Sequence, residues 1–70
     1  MNYVVIVEKG DDGYSAFVPD LPGCVTVGES LEEIRANISE AIALYLEGLE
    51  EKGLPIPRPT TRSIEVKIPA

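Results

Sequence analysis

Five residues, Pro19-Asp20-Leu21-Pro22-Gly23, constrain the course of this chain more firmly than any others. The two prolines fix φ twice and remove two amide donors, so neither a helix nor a central strand can run through them. A rigid turn fits. Before it, Tyr14 to Val18 is rich in aromatic and β-branched residues and reads as a strand; after it, Cys24 to Val27 is extended again. Gly28 then releases the strand and Ser30 stands as a helix N-cap. Glu33 completes an S-x-x-E capping box by reaching back to the Ser30 amide.

Upstream, Tyr3-Val4-Val5-Ile6-Val7 is apolar without alternation, the pattern of a strand that is covered on both faces or central in its sheet. Lys9-Gly10-Asp11-Asp12-Gly13 is a turn sequence that closes a hairpin onto Tyr14. In the second strand, Tyr14, Ala16 and Val18 share one face and Phe17 takes the other. Downstream, Leu31, Ile34, Ile38, Ala41, Ile42, Tyr45 and Leu49 recur at helical spacing, so one helix is predicted from Leu31 to about Lys52. Leu44 and Leu46 fall outside that stripe. Gly53 suits the position after the helix, and Pro55 forbids continuation. Leu54 to Pro59 is a stiff connector, and Ser63 to Ile68 alternates as a last strand with Ile64, Val66 and Ile68 inward.

The expected fold is therefore α+β with the order β-β-β-α-β in a single domain, residues 1 to 70. Two hairpins make the first three strands antiparallel neighbours, and a right-handed crossover brings the fourth parallel to the first. That gives a four-stranded mixed sheet of order 3-2-1-4, with one long helix on one face. The opposite face then needs a second cover, from an oligomer or a partner.

Tyr14, Ala16, the run Asp20-Leu21-Pro22-Gly23-Cys24, Gly28 and the opening Ser30-Leu31-Glu32-Glu33 closely resemble the N-terminal domain of the HicB family of antitoxins. The resemblance spans roughly residues 2 to 53, and the D-L-P-G-C elbow is its most specific part. It implies a reduced ribonuclease-H-like fold. It also implies a partner, a small HicA-like toxin that cleaves RNA and is blocked by the antitoxin. Many members add a C-terminal helix-turn-helix or ribbon-helix-helix module. A 70-residue chain is too short to be expected to hold one, so operator binding is the weaker reading.

At this length about 60% of the unfolded surface is buried on folding, and association is the remaining source of stability. Cys24 stands alone, so no disulfide helps. The net charge is −6. Residues 1 to 30 hold five acids against Lys9, residues 31 to 53 six acids against Arg35 and Lys52, and residues 54 to 70 hold Arg58, Arg62 and Lys67 against Glu65. An acidic body disfavours direct nucleic-acid binding. It suits a basic protein partner, and equally it keeps a small protein soluble. The longest apolar run, Ala41 to Leu46, falls far short of the roughly 20 residues of a membrane span. A cytoplasmic protein is expected.

Catalytic chemistry has little to work with. The chain has no histidine, which removes the usual general base, the Ser-His and Cys-His pairs and imidazole metal ligands. Glu8, Asp11, Asp12, Asp20 and Glu65 do not gather on adjacent strands as a two-metal nuclease requires. Cys24 reads as a small buried apolar residue. No enzyme, metal or cofactor is expected. The resemblance implies a stoichiometric antitoxin of a type II toxin–antitoxin system, and the uncovered sheet face a homodimer or higher oligomer. Its toxin contacts fall on Asp20, Leu21, Pro22, Gly23 and Cys24, so replacing Asp20 and Leu21 by alanine would weaken the complex without unfolding the protein. The alternative is an orphan scaffold or small-ligand module with no toxin partner.

Overall fold

The computed structural model describes residues 1 to 69. Three strands, β1 (Ile6–Gly10), β2 (Gly13–Phe17) and β3 (Val25–Gly28), are followed by one helix, α1 (Leu31–Glu51). The sheet is antiparallel throughout, in the order β1-β2-β3. Its register places Ile6, Phe17 and Val25 in one cross-strand row and Val7, Ala16 and Thr26 in the next. Side chains alternate between faces along a strand. The row containing Ala16 therefore looks toward the helix, and the row containing Phe17 looks away.

Gly13 closes the first hairpin in a backbone conformation that suits glycine. Its φ is +147°, and a Cβ there would lie 2.6 Å from the Gly28 carbonyl oxygen, too close for any side chain. At the helix start the Ser30 hydroxyl accepts the Glu33 amide at 3.1 Å. The expected reciprocal reach is replaced by packing, since the Glu33 side-chain stem lies against Gly28. The far end closes with a Schellman motif. The Leu54 amide donates to the Leu49 carbonyl at 2.9 Å and the Gly53 amide to Glu50 at 3.0 Å, with Gly53 at φ +66°.

Ala16, Val18, Leu21, Cys24, Ile34 and Ile38 form the buried core, with Tyr3, Val5, Tyr14, Ala41, Ile42, Tyr45 and Leu46 packed on it. Ile34, Ile38, Ala41, Ile42 and Tyr45 follow the predicted stripe. Leu46, assigned outside it, joins the core, whereas Leu31 at its start is exposed. The helix lies over β3 and β2 and leaves β1 uncovered on that side.

Three expectations require correction. The four-stranded mixed sheet of order 3-2-1-4 is a three-stranded antiparallel sheet among the described residues, so the fourth strand and the crossover to it are absent. Ser63 to Ile68 is unpaired, and Ile64, Val66 and Ile68 are 84%, 68% and 72% exposed. Alternation states that one face wants cover, not that the same chain supplies it. Strand one is consequently an edge strand rather than a central one. Its pairing begins at Ile6 because the β2 ladder ends at Phe17; Tyr3 and Val5 owe their apolar character to the core beside them. The ribonuclease-H-like fold that the family resemblance implied, with its fourth strand, is reduced to three strands and one helix among the described residues.

Candidate partner-binding site

The elbow is two β-turns that share one residue. The Leu21 amide donates to the Val18 carbonyl at 3.0 Å, and the Cys24 amide donates to the Leu21 carbonyl at 3.0 Å. Each turn has proline at its second position, Pro19 and then Pro22, where the ring presets φ. Gly23 supplies the φ of +83° at the third position of the second turn, as a type II turn demands. The Val18 amide then reaches the Cys24 carbonyl at 3.1 Å and ties the loop shut.

This construction sorts the expected contact residues by direction. Leu21 is completely buried and Cys24 nearly so, and both belong to the core. Burial pushes the Cys24 thiol above its ordinary pKa. Pro22 and Gly23 are exposed at the tip, and Asp20 is half-buried at its base. The double alanine variant at Asp20 and Leu21 would therefore open the core, contrary to the expectation that it leaves the isolated protein intact.

Asp20 accepts four hydrogen bonds, from outside the elbow. One carboxylate oxygen, Oδ2, takes the amides of Thr60 and Thr61, both at 3.0 Å; Oδ1 takes their hydroxyls at 3.0 and 2.8 Å. The Thr61 amide and then the Thr61 hydroxyl lower the pKa of Asp20 most; burial opposes them, and the Thr60 hydroxyl and amide add smaller lowering effects. The Asp20 carboxylate is thus a clamp on the C-terminal segment. The Tyr3 hydroxyl adds a second tie by donating to the Pro57 carbonyl. Nothing in the pattern of residues 54 to 62 pointed to this clamp except the Thr60-Thr61 pair itself, whose hydroxyls and amides are four donors in a row.

Beside the elbow lies the sheet face that the helix leaves open. Phe17, Val25 and Val27 are 39%, 63% and 70% exposed there. Ile6 shares the row of Phe17 and Val25, and Glu8 lies opposite Ser15, itself opposite Val27. The Val-Thr-Val alternation of β3 is the sequence signal for this patch. Asp11 and Asp12 sit at the hairpin tip beyond it, so an apolar surface is bordered by negative charge. Among the described residues no group of three acids or cysteines is placed to hold a metal ion. No helix there is long and apolar enough to cross a membrane. The arrangement offers binding surface: an apolar patch, an acidic rim and a stiff elbow at one end.

Comparison with known proteins places the chain among relatives. Residues 3–69 match the family described as HicB-like antitoxin of bacterial toxin-antitoxin system. A UPF0150 protein of Thermoplasma acidophilum is 45% identical over 67 residues, covering 94% of this chain and 97% of that one. A UPF0150 protein of Synechocystis is 48% identical over 58 residues, 81% of this chain and 73% of its own. A 14.9 kDa protein of Haemophilus phage HP1 is 41% identical over 83% of this chain, which spans only 44% of the phage protein. Among solved structures, a chain of the HicA3 and HicB3 toxin-antitoxin complex superposes with a TM-score of 0.73 at 32% identity. That match covers 86% of this chain and 70% of the other.

Proposed function

The chain belongs to the HicB-like antitoxin family, and on that premise we propose that it binds and inhibits a HicA-like RNA-cleaving toxin as the antitoxin of a type II pair. The observation that carries this reading is the likeness to a chain of a HicA3–HicB3 complex over 86% of this protein. Inhibition is by occlusion and is stoichiometric; the chain performs no catalysis of its own. The open face around Phe17, Val25 and Val27 supplies apolar contact area. The acidic rim steers a basic toxin onto it, and direct nucleic-acid binding plays no part. The elbow, Asp20 to Cys24, borders this face. Pro22, Gly23 and the edge of Asp20 touch the toxin, while Leu21 and Cys24 hold the loop in shape from beneath. The protein works in the cytoplasm as a homo-oligomer.

The test is co-purification. Tagged protein is recovered at low salt from cells that also express a HicA-like toxin, and RNA cleavage by the toxin is followed with and without it. A stoichiometric complex in which cleavage stops supports the proposal. Undiminished cleavage with the antitoxin in excess would refute it.

A further inference from the structure

The segment Ser63 to Ile68 has the pattern of a strand and no strand beside it. Its apolar residues Ile64, Val66 and Ile68 are among the most exposed hydrophobic side chains in the molecule. The protein as a whole is correspondingly extended. Its radius of gyration is 13.9 Å, against roughly 11 Å for a compact chain of this length.

A place for such a strand exists on the same fold. An open groove of about 650 Å³ runs between β1 and the helix, where the helix lies over β2 and β3. Tyr3, Val5 and Val7 line one wall, and Ile34, Ile38 and Ile42 the other. The groove ends at the outer edge of β1, which pairs with β2 on one side only. The opposite edge of the sheet differs, because Asn37 of the helix donates to the Val27 carbonyl of β3 at 3.0 Å. A strand added to β1 would present alternate apolar side chains to the groove, the pattern Ile64, Val66 and Ile68 provide.

The chain's own tail is badly placed to do this. Asp20 fixes Thr60 and Thr61, and Pro55, Pro57 and Pro59 stiffen the approach. Only Arg62 separates the clamp from the strand, fewer residues than the two central positions of a β-turn. Short, stiff hinges of this kind favour exchange between copies over closure within one. Charge favours it as well. Residues 54 to 70 carry three basic residues against Glu65, whereas residues 1 to 53 carry eleven acids against three basic residues.

We propose that Ser63 to Ile68 is a fourth strand supplied in trans: the tail of one copy lies along β1 of a second copy, with Ile64, Val66 and Ile68 in its groove. Reciprocal exchange about a two-fold axis fills both grooves and closes the assembly as a dimer. This gives a structural form to the homo-oligomer named above. Because no toxin enters the test, its failure would leave the antitoxin reading standing.

Two measurements on the isolated full chain decide the matter. Light scattering is expected to give twice the chain mass, and Ile64→Glu with Val66→Glu to give a monomer with unchanged helical circular dichroism, weakening association about a hundredfold or more. Next, in a Cys24→Ala background, a chain carrying Val7→Cys or Val5→Cys is mixed with one carrying Val66→Cys, unfolded together, refolded and oxidised. A disulfide joining the two different chains, dependent on both cysteines, is expected. A monomeric parent protein, a dimer that survives both glutamates, or a disulfide that forms only within one doubly substituted chain would overturn the proposal.

Discussion

The Asp20 carboxylate grips Thr61 through both its amide and its hydroxyl, at 3.0 and 2.8 Å, across 41 positions of sequence. Together with Thr60, this makes the elbow the anchor of the C-terminal segment. Asp20→Asn keeps a similar shape and can still accept both amides through its oxygen, but its NH2 reverses the two hydroxyl bonds and the charge that strengthened all four is gone. We expect the core to survive and the tail to come loose. Amide exchange at Thr60 and Thr61 should accelerate and trypsin should cut faster after Arg58 and Arg62, with helical signal unchanged. Equal protection in both proteins would show that the clamp does not hold the tail.

The same carboxylate gives a pH dependence. Its folded pKa lies below the ordinary value, so the folded state binds the proton less readily than the unfolded one. The stabilisation is therefore present above about pH 4, the unfolded pKa, and is lost as pH falls through the folded value. Urea midpoints measured from about pH 6 down to about pH 2 should fall more for the parent protein than for Asp20→Asn. Parallel curves would remove Asp20 as the cause.

Leu21→Ala should be severe. The side chain is fully buried where the two turns meet, and such truncations cost about 2 to 5 kcal/mol. A domain of this length has only about 4 to 10 kcal/mol in hand. Denaturation should show a large drop in midpoint or no folded baseline at all. For toxin contact, the informative substitution is therefore at Pro22 on the exposed tip.

Two glycines with positive φ should respond differently to alanine. Gly23 has φ +83° and open space around it, so Gly23→Ala carries backbone strain alone, about 1 kcal/mol. Gly13 adds a 2.6 Å approach to the Gly28 carbonyl, and Gly13→Ala should cost about 3 kcal/mol or more. Equal urea midpoints for the two variants would contradict the hairpin geometry.

Cys24 should be inert in the folded protein. Burial raises its pKa and removes it from solvent, and only the thiolate attacks a disulfide reagent. Reaction with an aromatic disulfide at neutral pH should track unfolding, fast in denaturant and slow without it. Rapid labelling of the native protein would mean that the elbow opens readily.

Local rules carried most of the fold. The elbow, the hairpin, the N-cap and the end of the helix each depend on residues within about six positions of one another, and Pro19, Pro22, Gly23, Ser30 and Gly53 announce them. The fourth strand failed on a different count. Ile64, Val66 and Ile68 declare a face to be covered, but what covers it is a question of tertiary or quaternary geometry that periodicity does not contain. The Asp20 clamp was hidden for the same reason, since no local rule connects residue 20 to residue 61. At the candidate site, sequence located the elbow and read Cys24 as buried, but did not separate Leu21, which also faces in, from Pro22 and Gly23, which face out. Both prolines and both neighbours look equally turn-like in one dimension.

The core residues all lie between Tyr3 and Leu46, whereas the clamp waits for Thr60 and Thr61. Contacts close in sequence form quickly, and a tie across 40 residues closes later. Sheet and helix are thus expected to assemble before the tail docks, and the tail can be released again without unfolding them. A chain built in that order has two lifetimes, a long one for its core and a short one for the tie at Thr60 and Thr61.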